Sequence, residues 1–254
     1  MLEIKGLTKH FGGLAAITEF DMSIDRGEVV GLIGPNGAGK TTMFNLITGY
    51  IPPTKGHILF EQVDITGKGT HAIAAKGIVR TFQQNAFLPD MTVLQNVVTS
   101  CYLHPKSGVW EAIFNTPDYR KKEQKALHHA MEIIEFLGLD SVSDELAQSL
   151  PHGYQRLTGI AIALSANPKL LLLDEPLAGM NANEVNETLI FINKIHSVGT
   201  TVLLVEHNMR AVMKICDRVV VINFGKKIAE GLPQEVKRNK DVIEAYLGVS
   251  EDAA

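Results

Sequence analysis

An α/β fold with a mainly parallel sheet is the class this sequence predicts, and three observations carry it. Apolar runs stand at Val29–Ile33, at residues 170–173 and at Thr201–Val205, and a continuous apolar run such as the four leucines at 170–173 is the pattern of a strand buried on both faces. Segments with helical spacing alternate with these runs through most of the chain. The runs are closed by Gly34-Pro35, Asp174-Glu175 and Glu206-His207, and ligands of an open α/β sheet bind at the carboxyl ends of its strands.

In chain order, residues 2–7 and 15–24 alternate as two strands joined around Phe11-Gly12-Gly13, a hairpin-like opening that leads into the 29–33 strand. Residues 49–56 contain Pro52-Pro53 and form a loop, after which 57–60 resumes as strand. A short helix is expected at 73–76 and a strand at 78–82, ending at Gln83-Gln84. Helical spacing at 93–103 is followed by a break at 104–108 and a segment with the chain's single tryptophan, Trp110. A long helix over 118–137 presents Leu127, Met131, Ile134 and Leu137 on its apolar side. Another opens after Leu150-Pro151-His152-Gly153, with Leu157, Ile160, Ala161 and Leu164 as its stripe. Helices at 184–196 and around Met209, Val212 and Met213 separate the last strands, 201–205 and 218–222. The latter turns at Asn223-Phe224-Gly225, and a helix over 234–247 follows.

With 254 residues and a formal net charge of −4, the chain can bury a substantial core and lacks the basic excess that marks nucleic-acid binders. Cys101 and Cys216 form no C-x-x-C or Cys/His cluster, which predicts reduced thiols and fits a cytosolic compartment. The N-terminus reads directly as strand and not as a signal peptide. No stretch approaches 18 uninterrupted apolar residues, so work at a membrane requires another chain to supply the span.

The residues that carry chemistry begin with Gly34-Pro35-Asn36-Gly37-Ala38-Gly39-Lys40-Thr41, the pattern G-x-x-x-x-G-K-[ST] between a strand and a helix that opens with Thr42. Its glycines allow a tight turn whose N–H groups, with the positive end of the helix dipole, hold phosphate oxygens. Lys40 is expected on the β- and γ-phosphates and Thr41 on Mg²⁺. Asp174 is the expected metal-binding acid, and Glu175 beside it the general base for a water attacking the terminal phosphate. His207, at the end of the next buried strand, reads either as a neighbour of a helix cap or as an imidazole directed at the γ-phosphate. Gln83 reads as a loop residue or as a contact to both Mg²⁺ and water. Phe11 reads as packing or as a ring stacked on the nucleotide base.

These residues together resemble the ATP-binding subunit of an ABC transporter over essentially the whole chain. The likeness rests on Phe11, the Walker A loop 34–41, Gln83 in "TFQQ", "LLLLDEP" and "VEHNM". It implies a P-loop NTPase core of the RecA-like kind (residues 1–92 and 151–254), an N-terminal antiparallel β region and an inserted helical subdomain (93–150). It also implies ATP and Mg²⁺ as ligands, and two cassettes closing head to tail over two ATPs, each lending its signature loop to the other. Here that loop is Leu150-Pro151-His152-Gly153-Tyr154 in place of LSGGQ, so the resemblance leaves Gly153 N–H, with or without His152, to contact the opposing γ-phosphate. Asn181 stands where the family usually has aspartate.

"EPLAGMN", "VEHNMRAVM" and "VIEAYLG" resemble the LivG type, ATPases of branched-chain amino acid importers, with urea and short-amide importers close by. The resemblance implies a peripheral position on the cytoplasmic face of the cell (inner) membrane, permease subunits as partners docked near Phe87 and Leu88, and a substrate-binding protein further out. A soluble ABC ATPase and a non-hydrolysing ATP-gated dimerisation module are the competing classes.

Overall fold

The structure is a computed structural model and describes residues 1–81, 87–101 and 117–247. In chain order its elements are β1 (Leu2–Phe11), β2 (Leu14–Ile24), β3 (Val29–Ile33), α1 (Lys40–Ile47), β4 (Lys55–Phe60), β5 (Val63–Asp64), α2 (Thr70–Ala74) and β6 (Ile78–Arg80). Then come α3 (Val93–Cys101), α4 (Pro117–Phe136), α5 (His152–Leu164), β7 (Leu170–Asp174), α6 (Ala182–Ser197) and β8 (Thr201–Val205). The chain continues with α7 (Met209–Ile215), β9 (Arg218–Asn223), β10 (Lys226–Gly231), α8 (Pro233–Val236) and α9 (Lys240–Leu247). Gln83, the tryptophan segment and residues 248–254 lie outside the described residues.

One compact unit comprises Met1–Arg80, Lys169–Leu177 and Ile192–Ala254. It holds an antiparallel sheet in the order β2-β1-β4-β5 and a six-stranded sheet in the order β10-β9-β3-β8-β7-β6. The second is parallel from β9 to β6, and only β10 runs against its neighbour. Every residue of β3, β7 and β8 is buried, which is why these strands read as unbroken apolar runs. Phe20, Phe44 and Phe60 are fully buried in the shared core.

Register decides where the chemistry falls. Val205 pairs with Leu32 on one side and with Asp174 on the other. The ends of β3, β8 and β7 therefore finish level, with the segment after β8 between the glycine loop and the acidic pair.

The β9–β10 turn supports the loop. Phe224 and Gly225 have φ of 45° and 75°, the left-handed pair of a tight hairpin. Gly225 N donates to Ala38 O at 2.9 Å, while Gly225 O accepts from Thr18 N at 2.9 Å.

The other unit comprises Thr81–Pro168 and Ala178–Phe191, so it extends on both sides of the expected 93–150 insertion and takes in the start of α6. Val93, Val97, Ile133, Ile134, Leu157 and Ile160 are among its buried residues. Asn96 stitches it locally, accepting from Leu88 N at 2.7 Å and donating to Leu88 O at 3.1 Å.

Three sequence expectations need correction. On α4 the buried face is Ala130, Ile133 and Ile134, continued by Leu137 just past its end, whereas Leu127 and Met131 are exposed. The helix expected at 73–76 is Thr70–Ala74, because Gly77 ends the segment with φ 99°. The C-terminal helix is two helices, separated where Asn239 Oδ1 accepts from Asp241 N at 2.9 Å and caps the second.

Candidate active site

The loop after β3 is a left-handed reversal. Gly39 has φ 114° at the N-cap of α1, a conformation that a side chain would strain. Met43 N donates to Gly39 O at 2.9 Å and starts the helix. Residues 36–42 and Glu175 line a small cavity of about 190 Å³. Lys40 is buried and folds back across the loop, its Nζ donating to Gly34 O at 2.7 Å and Pro35 O at 2.9 Å. Burial pulls its pKa below the ordinary lysine value, against the Glu175 and Asp174 carboxylates, which hold the ammonium charged.

Asp174 ends β7 fully buried, and its Oδ2 accepts from Arg80 Nη2 at 2.6 Å. Glu175, next in sequence, has φ 48° and donates its N–H to Val205 O at 2.9 Å. A non-glycine residue held there costs of order 1–3 kcal/mol, and such strain concentrates at functional sites. The strained turn separates the two carboxylates: Asp174 goes into the strand layer, while Glu175 faces the cavity.

His207 follows β8, exposed, with Nδ1 4.0 Å from Glu175 Oε1. Helix capping falls to its neighbour: Asn208 Oδ1 accepts from Ala211 N at 3.2 Å. The cap-neighbour reading of His207 therefore holds, and its ring stands beside the Glu175 carboxylate.

The structure thus brings Lys40, Thr41, Thr42 and Glu175 to one cavity, with His207 beside Glu175 and Asp174 buried at the end of the strand before it. Phe11 ends β1 with an exposed ring, 5.0 Å from Lys9 Nζ. Gly153 is the second residue of α5, in the other unit. Asn181 caps α6 by a reciprocal box: its Oδ1 accepts from Asn183 N and Glu184 N at 2.9 and 3.1 Å, and Glu184 Oε2 accepts from Asn181 N at 2.8 Å. The expected docking pair divides, since Phe87 is buried within the chain and only Leu88 is exposed.

Two residues escaped the sequence reading. Arg80 is one; its signal was a cation between the apolar residues of a short strand. The other is Glu206, which is fully buried and accepts from Leu177 N at 2.9 Å and from His207 N and Asn208 N at 3.2 and 3.3 Å. It latches the segment after Glu175 to the segment carrying His207.

A glycine-rich phosphate loop, a buried strand-end aspartate, a strained glutamate and a facing histidine on a parallel sheet define an ATPase of the P-loop class. The chain belongs to the ABC transporter family, whose model matches residues 17–178, and the model of a branched-chain amino acid ATP-binding cassette transporter matches residues 226–252. It is 41% identical over 249 residues to BraF of Pseudomonas aeruginosa, described as a high-affinity branched-chain amino acid transport ATP-binding protein, with 98% of both chains covered. LivG of Escherichia coli, with the same description, is 40% identical over 249 residues with the same coverage. Among solved structures, the ADP conformation of the ABC transporter cassette MJ1267 matches with a TM-score of 0.86 and 33% identity over 98% of each chain.

Proposed function

We propose that this chain is the ATP-hydrolysing subunit of an importer of branched-chain amino acids, and that one turnover runs between the glycine loop, Glu175 and His207. The observation that carries it is the 4.0 Å approach of His207 Nδ1 to Glu175 Oε1 at the cavity lined by residues 36–42. Loop N–H groups receive the phosphates, and Lys40 exchanges its two carbonyl partners for phosphate oxygens. Glu175 takes the proton of a water whose oxygen bonds to the terminal phosphorus as the bond to the ADP oxygen breaks. His207 donates to the γ-phosphate, and Phe11 offers its ring to the adenine.

Thr41 and Asp174, with Gln83, would hold Mg²⁺. A hydroxyl and a carboxylate are the oxygen donors that Mg²⁺ takes together with substrate phosphates. When bound, Mg²⁺ would supply charge neutralisation for the phosphates.

ABC cassettes dimerise and partner permease subunits; here a second cassette, identical or paralogous, closes head to tail so that Gly153 of each meets the other's nucleotide. Leu88 is the apolar contact offered to a permease. No helix among the described residues is long and apolar enough to cross a membrane, consistent with a peripheral subunit on the cytoplasmic face of the membrane. A substrate-binding protein completes the importer. Reconstitution with its permeases in liposomes tests the reading: ATP-dependent leucine uptake is expected, and urea uptake in its place contradicts it.

A further inference from the structure

We propose that Arg80 is a positioning residue that sets the spacing between Thr41 on α1 and Asp174 on β7, the two described groups assigned to the divalent ion. Its guanidinium has two arms. Nη1 donates to Asn45 Oδ1 at 2.6 Å and Nη2 to Asp174 Oδ2 at 2.6 Å. The guanidinium carbon lies 5.4 Å from the centroid of the Phe44 ring, also on α1. The Arg80 and Asp174 side chains are 10% and 0% exposed.

Asn45 lies four residues after Thr41, one turn along the same face of α1. Arg80 therefore straps the helix that presents the hydroxyl to the strand that presents the carboxylate, and the strap enters from β6, the strand that leads toward Gln83. A buried ion pair adds little net stability over apolar side chains of the same shape, so packing alone does not call for this cation. A planar fork that fixes two partners at once does, and the single ammonium of lysine cannot reproduce it. Partners of this kind behind a metal ligand alter metal affinity by about 10- to 100-fold when removed.

The inference rests on the Mg-ATP reading above. Its test is titration of a fluorescent ATP analogue into full-length wild type, R80K, N45A and R80K/N45A, at graded MgCl₂ and in EDTA. Metal-free affinity is expected to stay near wild type in all four proteins. The Mg²⁺ concentration that half-maximally raises nucleotide affinity should increase about tenfold in R80K and less in N45A. The double variant should be no worse than R80K, because both substitutions open one strap. Unchanged Mg²⁺ dependence in R80K and N45A overturns the strap, as does an equal loss of affinity with and without metal, which would make the role merely structural. A wild type whose nucleotide affinity ignores Mg²⁺ overturns the metal assignment together with the strap.

Discussion

His207 Nδ1 stands 4.0 Å from Glu175 Oε1, too far for a direct hydrogen bond and close enough for a single water to touch both. The two residues reach this separation from neighbouring strands, β8 and β7, which end in register. In the proposed turnover their contacts to nucleotide belong to the reacting state, not to initial binding. Substitution H207A should lower kcat by about 100-fold, the low end for a positioned proton-handling group, with nucleotide affinity near wild type. Single-turnover hydrolysis and equilibrium binding of the same protein check the two halves.

Glu206 makes the latch behind this pair, with three backbone N–H donors around one buried carboxylate. Glutamine would turn an amide donor toward some of those donors, so E206Q should lose about 1–3 kcal/mol of stability. Burial raises the Glu206 pKa above the ordinary glutamate value, against hydrogen bonds from Leu177 and Asn208. Because the folded-state value is the higher one, this group's contribution is fully present below the unfolded value and lost as pH rises through the folded value. Urea unfolding from neutral pH down toward 4.5 should therefore show the wild type gaining stability relative to E206Q.

Asn181 caps α6, and an aspartate there would accept equally from the N–H groups of Asn183 and Glu184. Unfolding measurements should find N181D within about 0.5 kcal/mol of wild type and N181A weaker by about 1 kcal/mol. Equal loss in both would assign Asn181 something other than capping.

The parts legible in the sequence are those whose environment is uniform. Buried on both faces, β3, β7 and β8 left continuous apolar runs, and the loop 34–41 and the residues closing β7 and β8 could be placed at the sheet's carboxyl edge. Illegible parts depend on partners distant in the chain. Arg80 reads as an ordinary strand cation until Asn45 and Asp174 converge on it. Glu206 reads as one more acid beside His207 until Leu177 arrives. On α4, Leu127 and Met131 have the right spacing for a buried stripe, yet the packed face is set by Ala130, Ile133 and Leu137. Strand β10, with its edge sequence Lys226-Lys227-Ile228-Ala229-Glu230-Gly231, carries little apolar signal and is held by pairing with β9.

In the proposed turnover Glu175, held at φ 48° at the phosphate-loop cavity, removes the proton from the attacking water. Glutamine keeps the shape and abolishes the base. Steady-state ATP hydrolysis by E175Q beside the wild type, with ATP-driven dimerisation followed on the same samples, measures it directly. Turnover should fall by about 100-fold or more while dimers form and persist in ATP. Equal turnover in the two proteins would contradict Glu175 as the base.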